Sequence, residues 1–156
     1  NLSQILKYQG SKCNKKLVLH NRKRNKITLQ ALLEDKSNLF LIIPKYSCNS
    51  CYQALFDKLS KIESFFNYKI HIICSYKTIR NLIIFKKQYN IQSKVYNLKS
   101  KDLIKAESLH NKSSPIFIDI SKEGYVLSTF FPDNNQISKV FNYLKVLKTK
   151  RKNYNK

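Results

Sequence analysis

The chain has 156 residues, 42% of them hydrophobic, with 10 Tyr and 9 Phe against only 2 Gly and 3 Pro. That size and apolar content suffice for one domain with a buried core, and the scarcity of Gly and Pro excludes a low-complexity or disordered chain. The longest wholly apolar run, Leu39 to Ile43, is far too short to span a membrane, while 30 Lys and Arg against 9 Asp and Glu give a formal net charge of +21.

Such a charge admits nucleic acid, acidic lipid or an acidic partner. The basic residues are spread along the chain, with clusters at Lys15-Lys16, Arg22-Lys23-Arg24 and Lys148-Thr149-Lys150-Arg151-Lys152. No recognition helix or stacking-aromatic module accompanies them, so no specific nucleic-acid partner is expected and the charge reads as a solvated surface. The sequence contains no Met. A start left by removal of a signal peptide, or a membrane anchor upstream of the chain, fits that absence and favours an extracytoplasmic setting such as a bacterial periplasm, with the cytoplasm as the alternative.

In chain order, Lys16 to His20 reads as a short strand, the basic stretch Asn21 to Lys26 as a turn, and Ile27 to Leu33 as a brief strand leading into a short helix. Leu39 to Ile43 is continuously apolar, the pattern of a strand buried on both faces. Pro44 and Ser47 end it. Ala54, Leu55, Leu59, Ile62 and Phe66 then recur at helical spacing, which predicts an amphipathic helix over roughly Cys48 to Phe66. Lys69 to Cys74 is a strand, Ile79 to about Tyr89 a helix, Val95-Tyr96 a short strand and Asp102 to Leu109 a short inserted helix. Pro115 to Ile120 and Tyr125 to Thr129 form a hairpin whose turn uses Gly124. The final helix carries Ile137, Val140, Phe141, Leu144 and Leu147 on one stripe. Strands alternating with helices predict an α/β sheet covered on both faces.

Chemistry is concentrated at Cys48-Asn49-Ser50-Cys51, where the buried strand gives way to a helix. In a first helical turn, that spacing brings two sulfurs to one side within reach of a disulfide. Unpaired amides and the positive end of a helix dipole would stabilise a thiolate there, with Lys45 adding to the field. Cys48 is then the nucleophile and Cys51 the resolving thiol. A zinc knuckle is the competing reading of such a pair, but Cys13, Cys74, His20, His71 and His110 are all isolated in sequence. No cofactor is expected. Cys74 closes an apolar strand and suits a core thiol, Cys13 lies in a polar segment, and a Cys13–Cys74 disulfide is one of the open pairings. His71 reads as structural. Tyr46 and Tyr52 flank the dithiol, either lining a substrate groove or lying on the surface.

The run from Ile27-Thr28-Leu29 through Leu39 to Ile43 to Cys48-x-x-Cys51, followed later by Ser113-Ser114-Pro115 and the hairpin to Gly124, resembles the thioredoxin-like superfamily and in particular its TlpA-like branch. The resemblance covers about residues 25 to 147. It implies a thioredoxin fold, that is, a central mixed β-sheet flanked by helices on both faces. On this reading residues 1–24 form an N-terminal extension, 25–147 the domain with its inserted helix, and 148–156 a basic tail. The resemblance further implies a cis Ser114–Pro115 peptide beside the dithiol, with the backbone at Ser114, just before Pro115, pairing with the substrate chain; Tyr46, from its place beside the dithiol, is a further candidate to meet the substrate. An ordinary trans proline opening a strand is the alternative.

Four positions depart from the family pattern. Ser47 replaces the aromatic before the first cysteine, Asn49-Ser50 replace the usual proline-containing pair, and Ile42 stands where thioredoxin carries a buried acid. Glu107 is a substitute for that acid whose position the sequence leaves open. The implied activity is thiol–disulfide exchange with protein substrates, sustained by a redox partner protein. A non-catalytic thioredoxin-like binding module is the alternative. A peroxiredoxin-like peroxidase fits less well, because three residues before Cys51 stands Cys48, and three before Cys48 stands Lys45, where that family carries Thr or Ser.

Overall fold

The computed structural model describes residues 10–34, 39–43, 52–66, 70–98, 115–132 and 137–154. Within them run β1 (Val18–Asn21), β2 (Lys26–Thr28), α1 (Leu29–Leu33), β3 (Leu39–Ile42), α2 (Gln53–Phe66), β4 (His71–Cys74), α3 (Ile79–Gln88), β5 (Val95–Asn97), β6 (Ile116–Ile120), β7 (Val126–Phe130) and α4 (Ile137–Tyr154). The seven strands form one mixed sheet in the order β2-β1-β5-β4-β3-β6-β7. β3, β4 and β5 are mutually parallel, and the outer pairings are antiparallel.

The apolar run of β3 follows from its place in the middle. Leu39, Leu41 and Ile43 turn toward one face, where they pack with Leu55, Phe56, Leu59 and Ile62 of α2, Leu82 and Phe85 of α3, and Val140, Leu144 and Leu147 of α4. Phe40 faces the other side, joining Ile73, Ile116 and Ile118 beneath Leu29, Leu32 and Leu33 of α1. The sheet is thus covered on both faces, as the α/β pattern predicts.

Local chemistry sets several boundaries. Thr28 caps α1 by accepting from the Ala31 amide at 3.2 Å, and Thr78 caps α3 by accepting from Asn81 N at 3.3 Å. The β6–β7 turn places Gly124 at φ +92°, where a Cβ would lie 3.0 Å from Lys15 Cγ; a side chain is excluded by conformation and by space. α4 continues without a break through the basic stretch to Tyr154, since neither Pro nor Gly interrupts it and Lys and Arg suit the C-terminal end of a helix. The segment before residue 25 is part of the sheet: it supplies β1, and Gly10 and Cys13 donate to Val126 O and Gly124 O at 2.8 and 2.7 Å along the edge of β7. The described helix α2 opens at Gln53, later than the spacing around Cys48 suggests, and the expected helix over 102–109 lies outside the described residues.

Cys13 and Cys74 are both buried and free. A Cys13–Cys74 disulfide is ruled out, because Cys13 packs with the α1-side core and Cys74 with the opposite one. The periodicity of separate segments could not reveal which face each thiol would join.

Leu41 is fully buried at the centre of the sheet, between Ile72 and Phe117. Leu41→Ala is expected to cost about 2–5 kcal/mol. Urea unfolding should register this as a lowered midpoint at unchanged slope.

Candidate functional site

The site expected from sequence lies where β3 leaves the sheet. β3 is paired antiparallel with β6 through Ile42 and Ile116, and parallel with β4 through Ile42 and Ile73. One residue further along each strand, Ile43, Pro115 and Cys74 stand at the same level of three adjacent strands, and Cys74 is paired with Asn97 on the next. Pro115 is buried, one residue before the Ile116 that pairs with Ile42. Ile43 is itself pinned, donating to Ile73 O at 2.9 Å.

Of the residues predicted to act here, Pro115 falls among those described. Cys48, Cys51, Tyr46, Ser114 and Glu107 lie outside them, and so does the Ser114–Pro115 peptide bond. What the fold brings to the place is a buried cluster of aromatic and thiol groups on the α2 side. Tyr52, the residue after Cys51, is 1% exposed and packs against Phe56 with ring centroids 6.0 Å apart. Its carbonyl accepts from Phe56 N at 2.9 Å, so it stands at the start of α2. The expectation that Tyr52 is a groove or surface residue is corrected here: it belongs to the core. The reason is spacing, since Tyr52, Leu55, Phe56 and Leu59 make one helical stripe.

Cys74 shares that core, and burial pushes its thiol well above the ordinary range. Tyr76 packs against the same cluster, 5.7 Å from the Phe85 ring. Its hydroxyl is likewise held protonated, first by burial and then by the neighbouring Cys74, Tyr89 and Tyr52. Asn97 fixes this corner. Fully buried, it accepts from Tyr76 N at 2.7 Å and donates through Nδ2 to Tyr76 O at 2.8 Å, copying the pairing of a strand where β4 has ended. Sequence reasoning missed both residues. An Asn closing a short apolar strand was the available signal.

The other candidates fall elsewhere. Ile42 packs partly buried on the α1 side of the sheet, the face opposite Cys74. Glu63 is engaged away from this end, accepting from Ser93 Oγ at 2.6 Å and Ile70 N at 3.1 Å. His71 is buried between the rings of Phe40 and Tyr96, with centroids at 5.3 and 5.9 Å, a structural setting. Among the described residues no three His, Cys, Asp or Glu side chains come together as a metal site would require.

Burial also raises the Cys13 thiol, from 9.0 to about 12. Because the folded chain keeps this proton to higher pH than the unfolded one, its stabilising contribution is complete below about pH 9 and is lost as pH rises toward 12. Cys74 acts in the same direction. Between pH 9 and 11 the native chain should therefore lose stability more steeply than Cys13→Ala, by up to about 1.4 kcal/mol per pH unit. Denaturant midpoints collected across that range measure the difference.

No family model matches the chain, and no curated protein does. Solved structures do resemble it. A candidate electron transfer protein from Aquifex aeolicus VF5 is 17% identical over 87% of this chain and 92% of its own, with a TM-score of 0.64. Peroxiredoxin Q of Xanthomonas campestris is 16% identical over 86% and 92%, with a TM-score of 0.61. A thiol:disulfide interchange protein from Bacteroides sp. is 14% identical over 88% and 90%, also at 0.61. Together with the mixed sheet in which β6 lies antiparallel beside β3, these likenesses establish that the chain has the thioredoxin fold.

Proposed function

We propose that the chain is a thiol–disulfide oxidoreductase of the TlpA-like kind, exchanging disulfides with protein substrates through Cys48 and Cys51. The observation that carries this reading is the position of the Cys-x-x-Cys pair in the chain, between the end of β3 and the start of α2, in a fold whose register sets Pro115 beside the residue where β3 ends.

In the reducing direction the Cys48 thiolate attacks one sulfur of a substrate disulfide. A Cys48–substrate disulfide forms, the substrate S–S bond breaks, and the first substrate sulfur leaves as a thiolate that takes up a proton. Cys51, as its thiolate, then attacks Cys48 Sγ. The Cys48–Cys51 disulfide forms, and the second substrate thiolate leaves and is protonated. The substrate gains two electrons and two protons, and the dithiol loses them; a redox partner protein restores it. Run backward, the same steps oxidise. With Ile42 at the position of the family acid, the proton of Cys51 passes to water or to the departing thiolate.

Cys48→Ser should abolish reduction of a disulfide-bonded protein such as insulin, whereas Cys51→Ser should stop at a mixed disulfide visible on a non-reducing gel. Titration in defined glutathione buffers, with thiols trapped and mapped, should show one two-electron transition confined to the pair. A pair locked in one state across that range would refute exchange and leave the non-catalytic binding module.

The resemblance to peroxiredoxin Q structures supports peroxide reduction as a second reading. There a cysteine thiolate attacks the peroxide O–O bond, giving an alcohol or water and a sulfenic acid, and the other cysteine condenses with it to a disulfide and water. Dimedone labelling of Cys48→Ser and Cys51→Ser after hydrogen peroxide separates the two. Rapid labelling of a remaining cysteine, with no turnover of insulin, selects the peroxidase.

A further inference from the structure

The inner face of α3 is buried through Ile79, Leu82 and Phe85. Its outer face presents two adjacent large apolar side chains, Ile83 at 45% and Ile84 at 50% exposure. They are framed by Arg80 and Lys87 on the same exposed surface, and from Lys77 through Lys94 the chain carries five basic residues and no Asp or Glu. Lys86, at the end of the helix, donates to Ser93 O at 3.2 Å.

A second basic group converges on the same place. β1 runs antiparallel to β5, so the β1–β2 turn lies at the end of the sheet where β5 begins, which is also where α3 delivers the chain. Arg22, Lys23 and Arg24 are exposed on that turn. Arg22 is close enough for its charge, after burial, to lower the pKa of Lys86, the mark of like charges facing one another. Glu63 accepts from Ser93 Oγ and Ile70 N.

We propose that the outer face of α3, with the β1–β2 turn beside it, is a docking surface for an anionic lipid bilayer. Ile83 and Ile84 enter the headgroup boundary, while Arg80, Lys87 and the turn meet acidic headgroups. Single apolar side chains on a surface need no explanation. Two neighbours inside an acid-free basic frame match the combination that an interface of this kind rewards, partial apolar insertion plus attraction to negative lipid. A phosphodiester backbone would use the charge and leave the isoleucines in water, and single strands are held by stacking aromatics, which the exposed face of α3 does not offer. The surface is separate from the candidate redox end. α3 lies against β5, three strands from β6 and Pro115, or about 14 Å. The proposal stands whether or not the dithiol cycles.

The test is cosedimentation of the full chain with vesicles of phosphatidylcholine, with and without phosphatidylserine, at about 150 mM salt to screen distant charges. Binding to the serine-containing vesicles alone is expected. Ile83→Ser with Ile84→Ser should weaken it about tenfold or more, since two half-exposed side chains lose their insertion. Arg80→Gln with Lys87→Gln should weaken it comparably, whereas the same loss of charge on α4, Lys145→Gln with Lys150→Gln, should change it about twofold at most. All these positions are exposed, and circular dichroism verifies that each variant is folded. The proposal is overturned by absence of binding, by an isoleucine pair without effect, or by an α4 control that falls as far as the α3 variant. It is also overturned if duplex DNA displaces the chain from vesicles and binds the isoleucine variant equally well, which would make the surface a nucleic-acid contact.

Discussion

A strand with no exposed face can hold only apolar side chains, and β3 is that strand here. Leu39, Phe40 and Leu41 are entirely buried, with one partner strand parallel and the other antiparallel. Each of its side chains belongs to one of two cores, so α2, α3 and α4 on one side and α1 on the other are all referred to the same few residues. The consequence for chemistry is positional. β3 ends level with the end of β4 and the start of β6, and the two cysteines follow it in sequence.

The strongest sequence signals were those tied to burial. The five-residue apolar run, the Gly124 hairpin and the stripe of the last helix all name their elements, because periodicity records which side chains meet the core. Helix α3 was legible to within a residue, from its apolar spacing between Thr78 and Tyr89. The pairing of residues 10–13 along β7 was not, since a short polar segment joined by backbone hydrogen bonds leaves no side-chain pattern. Nor was the partition of Cys13 and Cys74 between opposite faces, which depends on how strands far apart in sequence are ordered. The expected pair Cys48 and Cys51 rests on its spacing in the sequence and lies outside the described residues. The Asn97 clamp on Tyr76 was not legible, because one amide meeting another segment's backbone has no local signature.

The corner beside the dithiol strand is unusual in what holds protons there. Ile42 lies on the α1 side, and the α2 side collects Cys74, Tyr52, Tyr76 and Tyr89. Burial holds the Cys74 thiol and the Tyr76 hydroxyl protonated to higher pH than usual.

The order of strands also governs how the chain comes together in time. Leu39 pairs with Asp119 and His20 with Asn97, so the sheet joins segments far apart in sequence, and neither contact can form until most of the chain exists. Loop closure of that extent comes before any reward from pairing, which places the molecule among slow folders of high contact order. During synthesis, β3 and β4 emerge with one parallel neighbour available and the β6 side open. A nascent chain therefore carries its most apolar strand, and the cysteines that follow it, without cover until the C-terminal third arrives. An apolar strand left uncovered in this way is the kind of surface on which incompletely folded chains aggregate.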